Sequence, residues 1–83
     1  AILDSLAWVL YLDGSYKDAY EYASLAYIKD QDPEIVSHYY KILLKNGFKQ
    51  KAKEILEQSL INNPENDELL QLLDENSDEA AQL

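Results

Sequence analysis

An all-α chain, made of two helical pairs closed by a fifth helix, is what this sequence predicts on three observations. The chain matches itself when shifted by 33 residues. Apolar residues recur at helical spacing in each stretch between breaks, and no stretch alternates apolar and polar residues over the length of a strand. The shift places Gly14 on Gly47, Ala19 on Ala52, Ala26 on Ser59, Leu6 on Tyr39, Leu10 on Leu43 and Tyr27 on Leu60. Pro33 and Pro64 close the units 31 residues apart, so the first unit carries about two extra residues around Asp30-Gln31-Asp32. The chain therefore divides into repeat one over 1–32, repeat two over 33–64, and a capping helix with an acidic tail over 65–83.

Each element has its own reason. Leu3, Leu6, Ala7 and Leu10 set the first helix, and Asp13-Gly14 ends it, because glycine takes the left-handed conformation past a helix end without strain. Ser15 is expected to cap the second helix, with Asp18 three residues on, and Ala19, Tyr22, Ala23, Ala26 and Tyr27 form its apolar face. Asp32 then suits an N-cap and Pro33 the first helical position. Ile35, Val36, Tyr39, Tyr40, Leu43 and Leu44 carry the third helix to Asn46-Gly47. Ala52, Ile55, Leu56, Ser59 and Leu60 carry the fourth to Asn62-Asn63-Pro64, since a proline biases its predecessor away from the helical region. The fifth starts near Asn66, runs through Leu69, Leu70, Leu72 and Leu73, and is expected to break at Asn76-Ser77-Asp78, leaving a fraying acidic end over 75–83.

Composition narrows the function classes. The chain has 83 residues, 47% hydrophobic and 28% charged, which is a folded rather than a disordered balance. It has no cysteine, so no disulfide or thiolate site reinforces it. No apolar run approaches the roughly 20 residues that span a bilayer, and no leader pattern is visible. Because the chain opens on Ala1, already apolar and periodic, it reads as a piece of a longer protein; cytoplasm and periplasm both remain compatible. Net charge is −9, with no arginine at all, which argues against nucleic acid or an anionic membrane as partner. The charge is uneven: residues 33–64 hold five lysines against three glutamates, whereas residues 65–83 hold seven acidic residues and no lysine.

These residues resemble the tetratricopeptide repeat. The resemblance rests on paired helices with a period near 33, Gly14 and Tyr16 after the first helix, Ala19 and Ala26 in the second, and the closing prolines. In the second unit it rests on Gly47, Ala52, Ser59, Leu60 and Pro64. It covers about residues 1–64, and 65–74 is similar to the extra helix that often ends such arrays. The string over residues 3–11, with Asp32-Pro33-Glu34, looks like the last repeats of certain long bacterial proteins of that kind. The resemblance implies a right-handed α-α superhelix, with a concave side lined by the first helix of each pair. Two departures stand out: Tyr40 where the family prefers a small residue, and Ala23 where it prefers a bulky one. A swap of volume between neighbours accounts for both. A third is Lys49 in place of Tyr16, with Phe48 expected to take over that packing.

On the concave side the resemblance leaves Asp4, Ser5, Trp8, Tyr11 and Leu12 in the first unit, and Glu34, Ser37, His38, Lys41, Leu44 and Lys45 in the second. An aromatic-apolar patch (Trp8, Tyr11, Leu12) next to a basic one (His38, Lys41, Lys45) suits a protein or peptide with an apolar anchor and an acidic group or C-terminal carboxylate. Three alternatives are packing of Trp8 against a preceding repeat, a merely solvated face for the lysines, and acidic residues 74–79 folded back onto those lysines. A structural reading also stands: the segment caps a longer solenoid and binds nothing itself. Self-association through an apolar N-terminal face (Ile2, Leu3, Leu6, Leu10) is a further expectation. Nothing points to catalysis, a metal or a cofactor. His38 is alone, no cysteine accompanies it, and two glycines 33 apart build no phosphate loop. Asp30-Gln31-Asp32 begins like a calcium loop, but Pro33, Ile35 and Lys41 fill positions that need other residues.

Overall fold

A computed structural model describes the backbone of residues 2–81 and the side chains of residues 2–75. Five helices follow in order: α1 (Ile2–Leu12), α2 (Tyr16–Lys29), α3 (Pro33–Lys45), α4 (Lys49–Asn62) and α5 (Asp67–Ala81). The fold is all-α, and no strand occurs among the described residues.

The junction inside each unit is built by backbone geometry. Gly14 has φ +87° and Gly47 φ +82°, values that only glycine adopts freely. Past α1, Ser15 N–H donates to the Leu10 carbonyl and Gly14 N–H to that of Tyr11. Past α3, Phe48 N–H donates to Leu43 and Gly47 N–H to Leu44. Both are Schellman closures, which satisfy the last carbonyls of a helix while reversing the chain. The expected capping by Ser15 does not occur: its side chain makes no capping hydrogen bond. Its backbone sits at φ −85°, ψ 65°, away from the extended conformation that aims a hydroxyl at the helix. Phe48 has nearly the same conformation (φ −93°, ψ 59°) and no hydroxyl to offer, so the turn rather than the side chain starts the second helix of each unit.

The start of α3 is different in kind. Asp32 Oδ1 accepts from Glu34 N–H at 2.9 Å, Pro33 occupies the first turn, and Asp30 Oδ1 accepts from Asp32 N–H at 3.1 Å. At α5, Asn66 Oδ1 accepts from Leu69 N–H at 3.1 Å, so Asn66 caps it. The expected break at Asn76-Ser77-Asp78 is absent, because α5 continues to Ala81. Asn, Ser and Asp cost a helix only about 0.5 kcal/mol each relative to alanine, and neither glycine nor proline is there to stop it. The side chains of the acidic end from residue 76 lie outside the described ones.

The core lies around α3. Ile35, Val36, Ser37, Tyr39, Tyr40, Ile42 and Leu43 are all buried, and a helix apolar on most sides is one covered on most sides. α2 and α4 pack against it from the two units, α1 touches it at one side and α5 at another, and α5 also lies on α4. The Cα envelope is 17 Å thin in its smallest dimension, which is two helix layers. Unit one is lined by alanines (Ala7, Ala19, Ala23, Ala26), unit two by larger residues such as Ile55 and Leu56. Tyr40 and Ala23 are both 2% exposed in one core cluster. No described helix is long and apolar enough to cross a membrane.

Candidate functional site

Where α1 and α3 lie side by side, their side chains form a row of rings. Trp8 stacks on His38 with centroids 4.1 Å apart and planes 18° apart. It also stacks on Tyr11, one turn along α1, at 4.7 Å and 14°. Tyr11 meets Tyr16, the first residue of α2, at 5.7 Å in a tilted arrangement. Two ammonium groups from α3 cover this row: Lys41 Nζ lies 5.6 Å from the Trp8 ring and Lys45 Nζ 5.7 Å from the Tyr16 ring. Those are distances at which a cation is attracted to an aromatic face.

Asp4 anchors the row at His38. His38 Nδ1 lies 3.0 and 3.1 Å from the two Asp4 carboxylate oxygens. A carboxylate only accepts, so Nδ1 carries the proton and donates. The two side chains are 16% and 12% exposed, so the pair is largely out of water. Fixing the imidazole this way fixes the plane on which Trp8 stacks.

Trp8, Tyr11, His38 and Lys41 are therefore brought together. Lys45 joins through Tyr16 instead of through Trp8. Leu12 is 69% exposed at the end of α1, outside the row of rings. Beside Lys45 an open depression of about 670 Å³ is lined by Gly14, Ser15, Tyr16, Lys17, Asp18 and Asn46, so the row leads into a shallow depression that holds one carboxylate as well as two lysines. Other residues expected on this face sit differently. Asp4 is buried against His38, and Ser37 is 0% exposed, because α3 is covered on the side where Ser37 lies. Leu44 packs partly against the core, while Ser5 and Glu34 are exposed. Neither Tyr16 nor the Asp4–His38 bond is read as part of the site from the sequence. The signal for the bond is their 34-residue separation, one repeat plus one position, which juxtaposes the first helices of adjacent units.

A second aromatic cluster, between α2, α3 and the start of α4, is structural. Tyr39 lies 5.2 Å from Tyr27 and 6.3 Å from Tyr20, and its hydroxyl meets Ser24 Oγ at 3.1 Å. Phe48 packs on Tyr20 at 5.2 Å. Lys51 Nζ lies 5.8 Å from the Tyr20 ring and 6.0 Å from that of Tyr39. Interaction with the Tyr39 hydroxyl holds Lys51 above the ordinary lysine range. Burial, with Tyr39 adding to it, pushes the Tyr27 phenol up. Asp74 and Glu75, the described carboxylates at the acidic end, are exposed, and residues 76–79 of the suggested fold-back lie outside the described side chains.

Among the described residues no group of three His, Asp or Glu side chains is placed to hold a metal ion. No protein-family profile matches the chain, and neither a curated protein nor a solved structure does.

Proposed function

We propose that this chain is a short tetratricopeptide-like array that binds a protein or peptide partner along the α1–α3 face. One observation carries the reading: the row His38–Trp8–Tyr11–Tyr16 is pinned at His38 by Asp4 and flanked by Lys41 and Lys45. Rigid rings supply contact area at low entropic cost, and aromatic residues are the usual energetic centres of interfaces. The two ammonium groups select for an acidic group or a C-terminal carboxylate on the partner. Trp8 and Tyr11 carry the apolar contact with Leu12 at the rim, Lys41 and Lys45 read charge, and the free Nε2 of His38 is a hydrogen-bonding position. The reading needs no catalytic residue and no cofactor. The twin glycine turns, 33 residues apart, and the contact of α1 with α3 support the repeat assignment.

A second reading is favoured by α5. Leu69 and Leu72 are buried against α3 and α4, while Leu70 and Leu73 remain about 40% exposed, so α5 closes one end of the stack as a cap does. A comparative pull-down separates the readings, using the native chain and a Lys41→Glu/Lys45→Glu chain of equal helicity as baits. A prey kept by the first and lost by the second supports the groove. Identical preys on both leave the capping role.

A further inference from the structure

The 33-residue shift that aligns the two units pairs some residues of like burial and others of opposite burial. Ala7 and Leu10 turn inward as Tyr40 and Leu43 do, so α1 and α3 share an inner face. On the other side, Ile2, Leu6 and Val9 correspond to Ile35, Tyr39 and Ile42. The α1 residues are 84%, 39% and 61% exposed, whereas their α3 counterparts are 8%, 2% and 0% exposed. Of the apolar N-terminal face expected from sequence, Ile2 and Leu6 are exposed, Leu3 is half-buried and Leu10 packs against the core, while Val9 is exposed beside them. Not every apolar exposure is of this kind. Ile28 is 75% exposed and its counterpart Ile61 is 72% exposed, so exposure at that position is ordinary for this repeat.

α2 packs on α3 and meets this stripe at Tyr39. Tyr20, Ser24 and Tyr27, spaced four and three residues apart on one face of α2, all meet Tyr39. α1 presents the same kind of stripe with no helix in that place.

We infer that the Ile2–Leu6–Val9 stripe is a docking face for one more helical hairpin of this repeat, whose second helix lies on α1 as α2 lies on α3. The contact continues the α2–α3 interface already present in the chain. Its chemistry differs at one point. Leu6 stands where α3 has Tyr39, so there is no hydroxyl for a Ser24-like residue to meet. The incoming helix carries a small apolar residue there, flanked by bulky residues at the Tyr20 and Tyr27 positions. The inference rests on the internal repeat and stands apart from the groove reading.

The test is an extended chain in which a copy of residues 1–33, carrying Ser24→Ala, precedes Ala1 and keeps the 33-residue period. Thermal unfolding by circular dichroism and amide exchange in α1 are the readouts. The extended chain is expected to melt at least about 5 °C above the 83-residue chain and to slow exchange in α1. Val9→Asp at the original α1 is expected to remove both gains, while shifting the unextended chain by less than about 3 °C, because Val9 is exposed there. Absence of either gain, or gains that survive Val9→Asp, overturns the inference. So does a dimer of the 83-residue chain dissolved by Val9→Asp, since the stripe then belongs to a second copy.

Discussion

Removing the Asp4 carboxylate is the perturbation whose effect the geometry fixes most closely. Asp4 receives a single proton, shared between its two oxygens at 3.0 and 3.1 Å, so Asp4→Ala deletes one hydrogen bond. A hydrogen bond to a charged carboxylate contributes about 1.5–3 kcal/mol, and the partial exposure of the pair puts the loss near the lower bound, about 1.5 kcal/mol, or a melting temperature lower by about 6–12 °C in a chain this size. His38→Ala deletes the same bond, leaves the Asp4 carboxylate buried without a donor, and removes the ring stacked on Trp8. Stacking adds about 0.5–1.5 kcal/mol, so the single change costs about 2–3 kcal/mol. In the double variant the stranded carboxylate is gone, and the cost stays near that of His38→Ala alone. The cycle therefore closes with a coupling of about 1.5 kcal/mol. Urea unfolding followed by the emission of Trp8, the sole tryptophan, reads both stability and the stacking itself. Strictly additive single changes, or an emission spectrum unmoved by either, would refute the reasoning.

Three further outcomes follow from the same structure. Gly47→Ala meets no atom within 4 Å but must hold φ +82°, so it is expected to lower stability by about 1 kcal/mol, and Gly47→Asn by less, as thermal unfolding will show. Ala23→Leu places three extra carbons in a site 2% exposed that shares its core cluster with Tyr40; it is expected to lower the melting temperature through about 1–3 kcal/mol of overpacking, and a rise would refute the volume swap. Lys51 and Tyr27 both hold their protons more tightly folded than unfolded, so their contribution is complete below about pH 10 and is lost as pH rises through the folded values. Unfolding measured from pH 8 to 11 is expected to show that loss, and Lys51→Met or Tyr27→Phe to make it shallower.

Helices and their ends were legible where one residue type carries the geometry. Gly14, Gly47, Asp32-Pro33 and Asn66 announce their turns and caps, since few other residues satisfy those backbone positions. Ser15 misleads because the Schellman turn already sets the chain and leaves its hydroxyl no capping role. Asn76-Ser77-Asp78 was misleading because weak helix formers do not stop a helix. In the site, the resemblance implies that the first helices of the two units share one side, and Trp8, Tyr11, His38 and Lys41 do lie together there. The roles of Asp4 and Tyr16 were not legible. They depend on rotation within that pair, and a 3.6-residue periodicity read from one helix does not specify which side chain meets which on its neighbour.

Binding of an acidic partner segment along the α1–α3 row is what we propose for this chain. The most direct test follows Trp8 fluorescence while peptides ending in an acidic residue with a free C-terminal carboxylate are titrated into the native chain. The same titrations are made into the Lys41→Glu/Lys45→Glu chain. Saturable binding that weakens as salt rises and disappears on charge reversal is the predicted result. No saturable change with any such peptide, or binding indifferent to the reversal, contradicts the account.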